Sequence, residues 1–226
     1  MSDYILVPGA GGEAWYWHLV APLLRGLGHD VVAVGLPAAD QAAGLEDYAE
    51  AILAAIGDRE DVVLVAQSMG AFSAPIAARR TSVAALLLVA PMIPAPGESV
   101  DAWWSATGSG AARRVAEQEA GRDPDAEFDP VSVFFHDVPD DVQEAAWARG
   151  EPQQGDRACA EPWPLDAWPD VPTRVVIGRH DRLFPYAFAR ALARDRLGAE
   201  PDVIDTGHLP ALAQPGALAA WLRAAA

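Results

Sequence analysis

The sequence predicts an α/β fold, a mostly parallel sheet covered by helices on both faces. Two observations carry this. Runs such as Tyr4–Val7, Val62–Ala66 and Val83–Val89 are apolar at every position, as strands buried on both faces are. Between such runs lie stretches with apolar residues at helical spacing, several closed by a glycine. Strands alternating with helices build a parallel sheet through helical crossovers. The length, 226 residues, suits one such domain with an insertion rather than two independent domains.

The elements follow in order. Tyr4–Val7 is the first strand and runs into the loop Pro8-Gly9-Ala10-Gly11-Gly12. Trp15–Leu27 reads as a helix stopped by Gly28. Val31–Val34 is the second strand. Leu45–Ile56 is the second helix, closed by Gly57. Val62–Ala66 and Val83–Val89 are the third and fourth strands, with a helix at Met69–Arg79 between them. The pattern breaks after Pro91. Residues 92–169 are rich in Pro, Gly, Trp and acidic side chains, and helical stretches are expected only near Ser109–Gly121 and Asp140–Arg149. Val175–Ile177 resumes the strand pattern, followed by a helix over Phe184–Leu197, a short strand at Val203–Ile204 and a final helix over Ala211–Ala225. Residues 1–91 and 170–226 are therefore expected to form the core, with 92–169 inserted at the end of the fourth strand.

Bulk properties narrow the function. With 16 basic and 32 acidic side chains the formal charge is −16, which repels phosphate backbones and anionic membranes. The apolar run Val83–Ala90 is too short to span a bilayer. The opening MSDYILVPGAGG has no basic segment followed by a long apolar one, so no signal peptide is expected and the cytoplasm is the expected location. The single cysteine, Cys159, excludes an intramolecular disulfide and has no basic cluster beside it to activate a thiolate. There is no H-E-x-x-H pattern and no cysteine–histidine cluster, so neither a metal nor a cofactor is expected. The expected partner is a small molecule, and the oligomeric state is not legible.

The chemistry centres on Ala66-Gln67-Ser68-Met69-Gly70, which joins a strand to a helix. In a parallel sheet this puts Ser68 at the carboxyl end of a strand, where ligand sites form. Small residues on both sides of Ser allow a turn tight enough to expose its hydroxyl. Helix capping is the competing explanation for Ser68. A serine nucleophile needs a base within hydrogen-bond reach and a carboxylate to orient that base. His208, in Thr206-Gly207-His208-Leu209-Pro210, follows the last strand and lies on a loop at the same sheet edge. Asp181, in Gly178-Arg179-His180-Asp181, ends the preceding strand and completes the chain order Ser…Asp…His. Asp205 is the rival acid and His180 the rival base. His18 and His29 belong to the first helix and its exit. For an oxyanion, the backbone amide of Met69 is one expected donor and the Pro8–Gly12 loop the source of the second. That loop lacks the G-x-G-x-x-G spacing of a dinucleotide cradle.

Together these features resemble the α/β-hydrolase family in its Ser-His-Asp form. The opening YILVPGAGGEAWYWHLVAPLLRGLGHDVVAVGLP resembles the plant methylesterase and hydroxynitrile lyase branch, through Trp15, Trp17, Gly28 and His29. The resemblance implies a three-layer α/β-hydrolase fold with about six strands, lacking the usual N-terminal strand pair. It also implies that Ala10 is the second oxyanion donor and that residues 92–169 form a helical cap over the site. Most aromatics of that segment are then expected to form the cap's own core, with some facing the cleft; Trp103, Trp104, Phe134, Phe135 and Trp147 are the expected substrate contacts. His136, beside Asp137, is a weaker candidate for a substrate contact. Three positions depart from the pattern: Pro8 and Gln67 stand where many members have His, and Ala66 where Gly is usual. The implied activity is cleavage of a small apolar or aromatic carboxylic ester through an acyl-enzyme. Two alternatives remain: a C–C bond hydrolase or lyase on the same triad, and a non-catalytic small-molecule-binding protein. The lyase branch uses a lysine near the pocket, and this chain contains none.

Overall fold

Six parallel strands run in the order β2-β1-β3-β4-β5-β6: β1 (Asp3–Val7), β2 (Asp30–Ala33), β3 (Val62–Gln67), β4 (Val83–Val89), β5 (Thr173–Gly178) and β6 (Asp202–Ile204). The computed structural model describes residues 2–226. The helices are α1 (Val20–Gly26), α2 (Leu45–Ile56), α3 (Gly70–Ala78), α4 (Val100–Ala106), α5 (Ser109–Glu119), α6 (Pro130–Phe134), α7 (Asp140–Trp147), α8 (Asp156–Ala160), α9 (Tyr186–Leu197), α10 (Pro210–Ala213) and α11 (Pro215–Ala225). No helix among the described residues is long and apolar enough to cross a membrane.

The period of two along each strand divides the core between the sheet's faces. Ile5, Val7, Leu64, Ala66, Leu86 and Leu88 pack on one side with Ile52 of α2, Phe72 of α3 and Ala193 of α9. Tyr4, Leu6, Val63, Val65, Leu87 and Val89 pack on the other with Leu24 of α1 and Leu218 and Leu222 of α11. Helix α3 is buried along all nine residues, which explains why its sequence is apolar all round.

Two expected helices are each broken in the structure. Trp15–Leu27 is a 3₁₀ turn at Ala14–Trp17 followed by α1. Ala211–Ala225 is split into α10 and α11 by Gln214, at φ −137°, because the next residue is Pro215 and a proline disfavours a helical residue before it. The segment between β4 and β5 holds five helices rather than two. Helix α4 is capped by Ser99, whose Oγ accepts from the Ala102 amide at 3.1 Å. Helix α6 is capped by Asp129 and has Pro130 at its first position, a recognised start signal.

The topology positions the site. Strand β1 lies between β2 and β3, so successive connections leave the sheet in opposite directions there, and the loops diverge at the carboxyl ends of β1 and β3. The registers Val7↔Ala66, Gln67↔Val89 and Gly178↔Ile204 bring those carboxyl ends level.

Candidate active site

Ser68 sits at φ +50°, a left-handed conformation that costs a non-glycine residue about 1–3 kcal/mol and needs support from its surroundings. The support is visible. The Ser68 amide donates to Val89 O at 3.0 Å, and the Ser68 carbonyl accepts from Ala71 N at 3.1 Å and Met92 N at 3.0 Å. Gly70 has to be glycine, since a Cβ there would lie 2.6 Å from Pro8 O. Gly9 faces the turn from the β1 loop, where a Cβ would meet Gln67 Oε1 at 2.4 Å and Ser68 Cβ at 3.0 Å. The strand end, turn and β1 loop are thus packed backbone on backbone.

Three buried side chains form a hydrogen-bonded series. The Ser68 hydroxyl donates to His208 Nε2 at 3.1 Å, and His208 Nδ1–H donates to Asp181 Oδ2 at 2.8 Å. Asp181 Oδ1 accepts from the amides of Leu183 and Phe184 at 2.8 and 2.9 Å. Both carboxylate oxygens are therefore engaged, and the imidazole is held with its proton on Nδ1 and its lone pair toward Ser68. Ser68, Asp181 and His208 are 8%, 6% and 2% exposed, so their interactions are little weakened by water.

The rivals lie elsewhere. Asp205 is 75% exposed and pairs with Arg179. His180 is exposed, and it is its backbone amide that reaches the His208 loop, at Thr206 O. His18 stacks on Trp15 at 4.2 Å and bonds Trp15 O, while His29 packs edge-on against Tyr4.

The amides of Met69 and Ala10 donate to no other protein group among the described residues. Met69 opens α3, so its N–H is one of the unpaired donors of a helix start. Ala10 lies at the tip of the β1 loop, and its neighbour Gly11 donates to Gln154 Oε1 at 3.0 Å. Gln67, in place of a histidine, is buried and donates through Nε2 to His208 O at 3.3 Å, a contact that sequence reasoning missed.

The aromatics of 92–169 divide into separate groups. Trp103 is fully buried in the core against Phe184 and Phe188, with its Nε1–H donating to Ile93 O at 3.0 Å. Its packing is that of a core side chain. Phe135 and Trp147 pair at 4.7 Å, and Phe135 packs on the opposite core from Trp103. The ring of this segment that packs against His208 is Phe134, tilted at 57° with centroids 5.5 Å apart. Phe184, absent from the expected set, lies edge-on to His208 at 4.9 Å and touches the half-exposed Trp104 at 5.8 Å. Its place follows from Asp181: the carboxylate that holds His208 also holds the Phe184 amide.

A cavity of about 600 Å³ opens beside the acid, lined in part by His136, His180, Asp181, Arg182 and Tyr186. It touches Asp181 but neither Ser68 nor His208, so a carbonyl carbon bound there would not meet Ser68 Oγ. Burial and the nearby Arg182 push the His136 imidazole below its ordinary range. No cluster of metal-ligating side chains occurs among the described residues.

Comparison with known proteins accords with this geometry. The profile described as the Alpha/beta hydrolase family matches residues 4–221. Norfluorocurarine synthase 1 of Strychnos nux-vomica is 41% identical over 86 residues, covering 34% of this chain and 32% of that one. Methylesterase 7 of Arabidopsis thaliana is 38% identical over 106 residues, 41% of each chain. The chain thus spans about a third to two fifths of the length of these curated relatives. The crystal structure of polyneuridine aldehyde esterase superposes with a TM-score of 0.76 over 99% of this chain and 98% of that one, at 22% identity, a likeness of fold.

Proposed function

Because the chain belongs to the alpha/beta hydrolase family, we propose that it is a serine hydrolase cleaving a small apolar or aromatic carboxylic ester through an acyl-enzyme. The observation that carries this reading is the series Ser68–His208–Asp181 ending on a serine at φ +50°. In it, Ser68 attacks the ester carbonyl while His208 takes its proton; Asp181 stabilises the imidazolium that forms. The oxyanion is bound by the amides of Met69 and Ala10. His208 next protonates the departing alkoxide, then draws a proton from water as that water attacks the acyl group, and finally gives that proton to Ser68 Oγ as the carboxylic acid leaves. Relatives named as esterases and methylesterases support the ester as substrate class.

Residues 92–169 act in this reading as the cap over the core formed by 1–91 and 170–226. Substrate contacts are assigned to Phe134 and Trp104, joined by Phe184. The reading includes a cytoplasmic location.

An acyl-enzyme predicts a burst. Mixing the protein with excess p-nitrophenyl acetate should release close to one equivalent of p-nitrophenol per chain before the steady state, provided deacylation is the slower step. A p-nitrophenol burst that leaves no acyl adduct on Ser68, by rapid-quench mass measurement, would remove the covalent step at that residue.

The two neighbouring tryptophans separate stability from selectivity. Trp103→Ala empties a core site and should destabilise the fold by about 3–5 kcal/mol, read by denaturant unfolding. Trp104→Ala, at a half-exposed ring, should destabilise less than Trp103→Ala and lower kcat/KM for bulky acyl esters by roughly 1–3 kcal/mol relative to acetate esters. A uniform loss across acyl sizes would mean that Trp104 supports the cap rather than the substrate.

A further inference from the structure

Beyond the Met92 contact to the Ser68 turn, the segment between β4 and β5 ties itself to three other loops that carry the site. Gln154 Oε1 accepts from Gly11 N in the oxyanion loop at 3.0 Å. Ser132 O accepts from Arg182 Nη1, beside the acid, at 3.0 Å. The third tie is double and charged. Asp137 Oδ2 accepts from Thr206 Oγ1 at 3.0 Å and from Gly207 N at 2.5 Å, on the two residues immediately before His208. Hydrogen bonds to an ionised carboxylate are roughly twice as strong as neutral ones.

The approach is close. A Cβ on Gly207 would lie 2.7 Å from Asp137 Oδ1 and 2.8 Å from His136 Nε2, so a larger residue there would push one of these side chains aside. Both of those atoms are buried and without a hydrogen-bond partner among the described residues. Leaving buried polar atoms unpaired costs about 1–3 kcal/mol each, a cost the molecule carries where the insertion meets the base loop. Thr206 is 1% exposed, so water does not compete for its hydroxyl. The other backbone supports of residues 206–208 are neutral: Thr206 N to Ile204 O at 2.9 Å, His180 N to Thr206 O at 3.0 Å and Gln67 Nε2 to His208 O at 3.3 Å.

We propose that Asp137 is a positioning residue for the base, fixing the Thr206–Gly207 backbone so that the His208 imidazole stays in line between Asp181 and Ser68. The insertion then contributes to the chemical step as well as to substrate choice. This rests on the Ser68–His208–Asp181 reading above.

The test uses the full chain with three variants, Asp137→Ala, Asp137→Asn and Thr206→Val, and reads kcat and KM on p-nitrophenyl acetate together with the rate of Ser68 labelling by a fluorophosphonate. Asp137→Ala should lower kcat and the labelling rate together by roughly 10- to 100-fold, the scale of a misplacement near 1 Å, with KM changed less than about threefold. Asp137→Asn keeps an oxygen that can accept both bonds and should recover most of the loss. Thr206→Val removes one bond with little change of volume and should cost several-fold in kcat; it also carries the test if Asp137→Ala does not fold. Wild-type kcat and labelling in Asp137→Ala, a loss lying in KM, no recovery with Asn, or an unaffected Thr206→Val would each overturn the proposal. Failure of the wild type itself to label at Ser68 is a different result and would overturn the nucleophile reading instead.

Discussion

Replacing Ser68 with alanine is expected to lower kcat by on the order of 10⁴-fold or more while leaving the fold intact. The loss is large because the members of a nucleophile–base–acid series act as a unit, and what survives comes only from binding and oxyanion stabilisation. The fold should survive for three local reasons. Alanine meets the same left-handed backbone cost as serine at φ +50°. The turn is held by backbone hydrogen bonds to Val89, Ala71 and Met92 that the substitution leaves in place. Only the bond to His208 Nε2 disappears, at a cost of about 1–3 kcal/mol for the unpaired ring nitrogen. Steady-state hydrolysis of p-nitrophenyl esters, measured beside a thermal melt, separates the two effects. Ester hydrolysis within tenfold of wild type would remove Ser68 from the chemistry.

Asp181→Asn is expected to cost nearly as much, about 10⁴-fold in kcat, and Asp205→Asn almost nothing. An asparagine at 181 can still accept from Leu183 and Phe184 through its carbonyl oxygen, so the loop should keep its shape. Its amide nitrogen then faces His208 Nδ1, the nitrogen now bonded to Asp181 Oδ2. The ring must accept at Nδ1 and carry its proton on Nε2, where it cannot take the proton of Ser68. Asp205 pairs with Arg179 at the surface, and exposed pairs of that kind contribute about 1 kcal/mol or less. Paired kcat measurements on the two variants decide it, and the opposite order would make Asp205 the acid.

How much of this was legible depended on range. Val83–Val89 and Leu45–Ile56 are read from the sequence to the residue, because each buries a face whose period is local. The carboxyl ends of β3, β5 and β6 follow from the same reading, and with them the common edge that carries Ser68, Asp181 and His208. Inside 92–169 local signals were weak, and the short helices α4, α6 and α8 escaped the reading, although Ser99 and the Asp129-Pro130 pair marked two of the starts. Such short helices are marginal alone and hold through packing; α4 forms around a Trp103 buried against Phe184, 81 positions further along. Phe184 beside His208, Gln67 on the His208 carbonyl and Asp137 on Gly207 are likewise contacts between distant segments. No pattern within one stretch of sequence announces them.

The claim that Ser68 is an activated nucleophile is tested most directly by its reaction with a fluorophosphonate, which needs a serine whose proton can be taken, whatever the natural ester is. Intact mass followed by peptide mapping should find one adduct per chain, on Ser68, and none in Ser68→Ala or His208→Ala. A wild-type chain that stays unlabelled, or that is labelled equally in Ser68→Ala, would contradict the account.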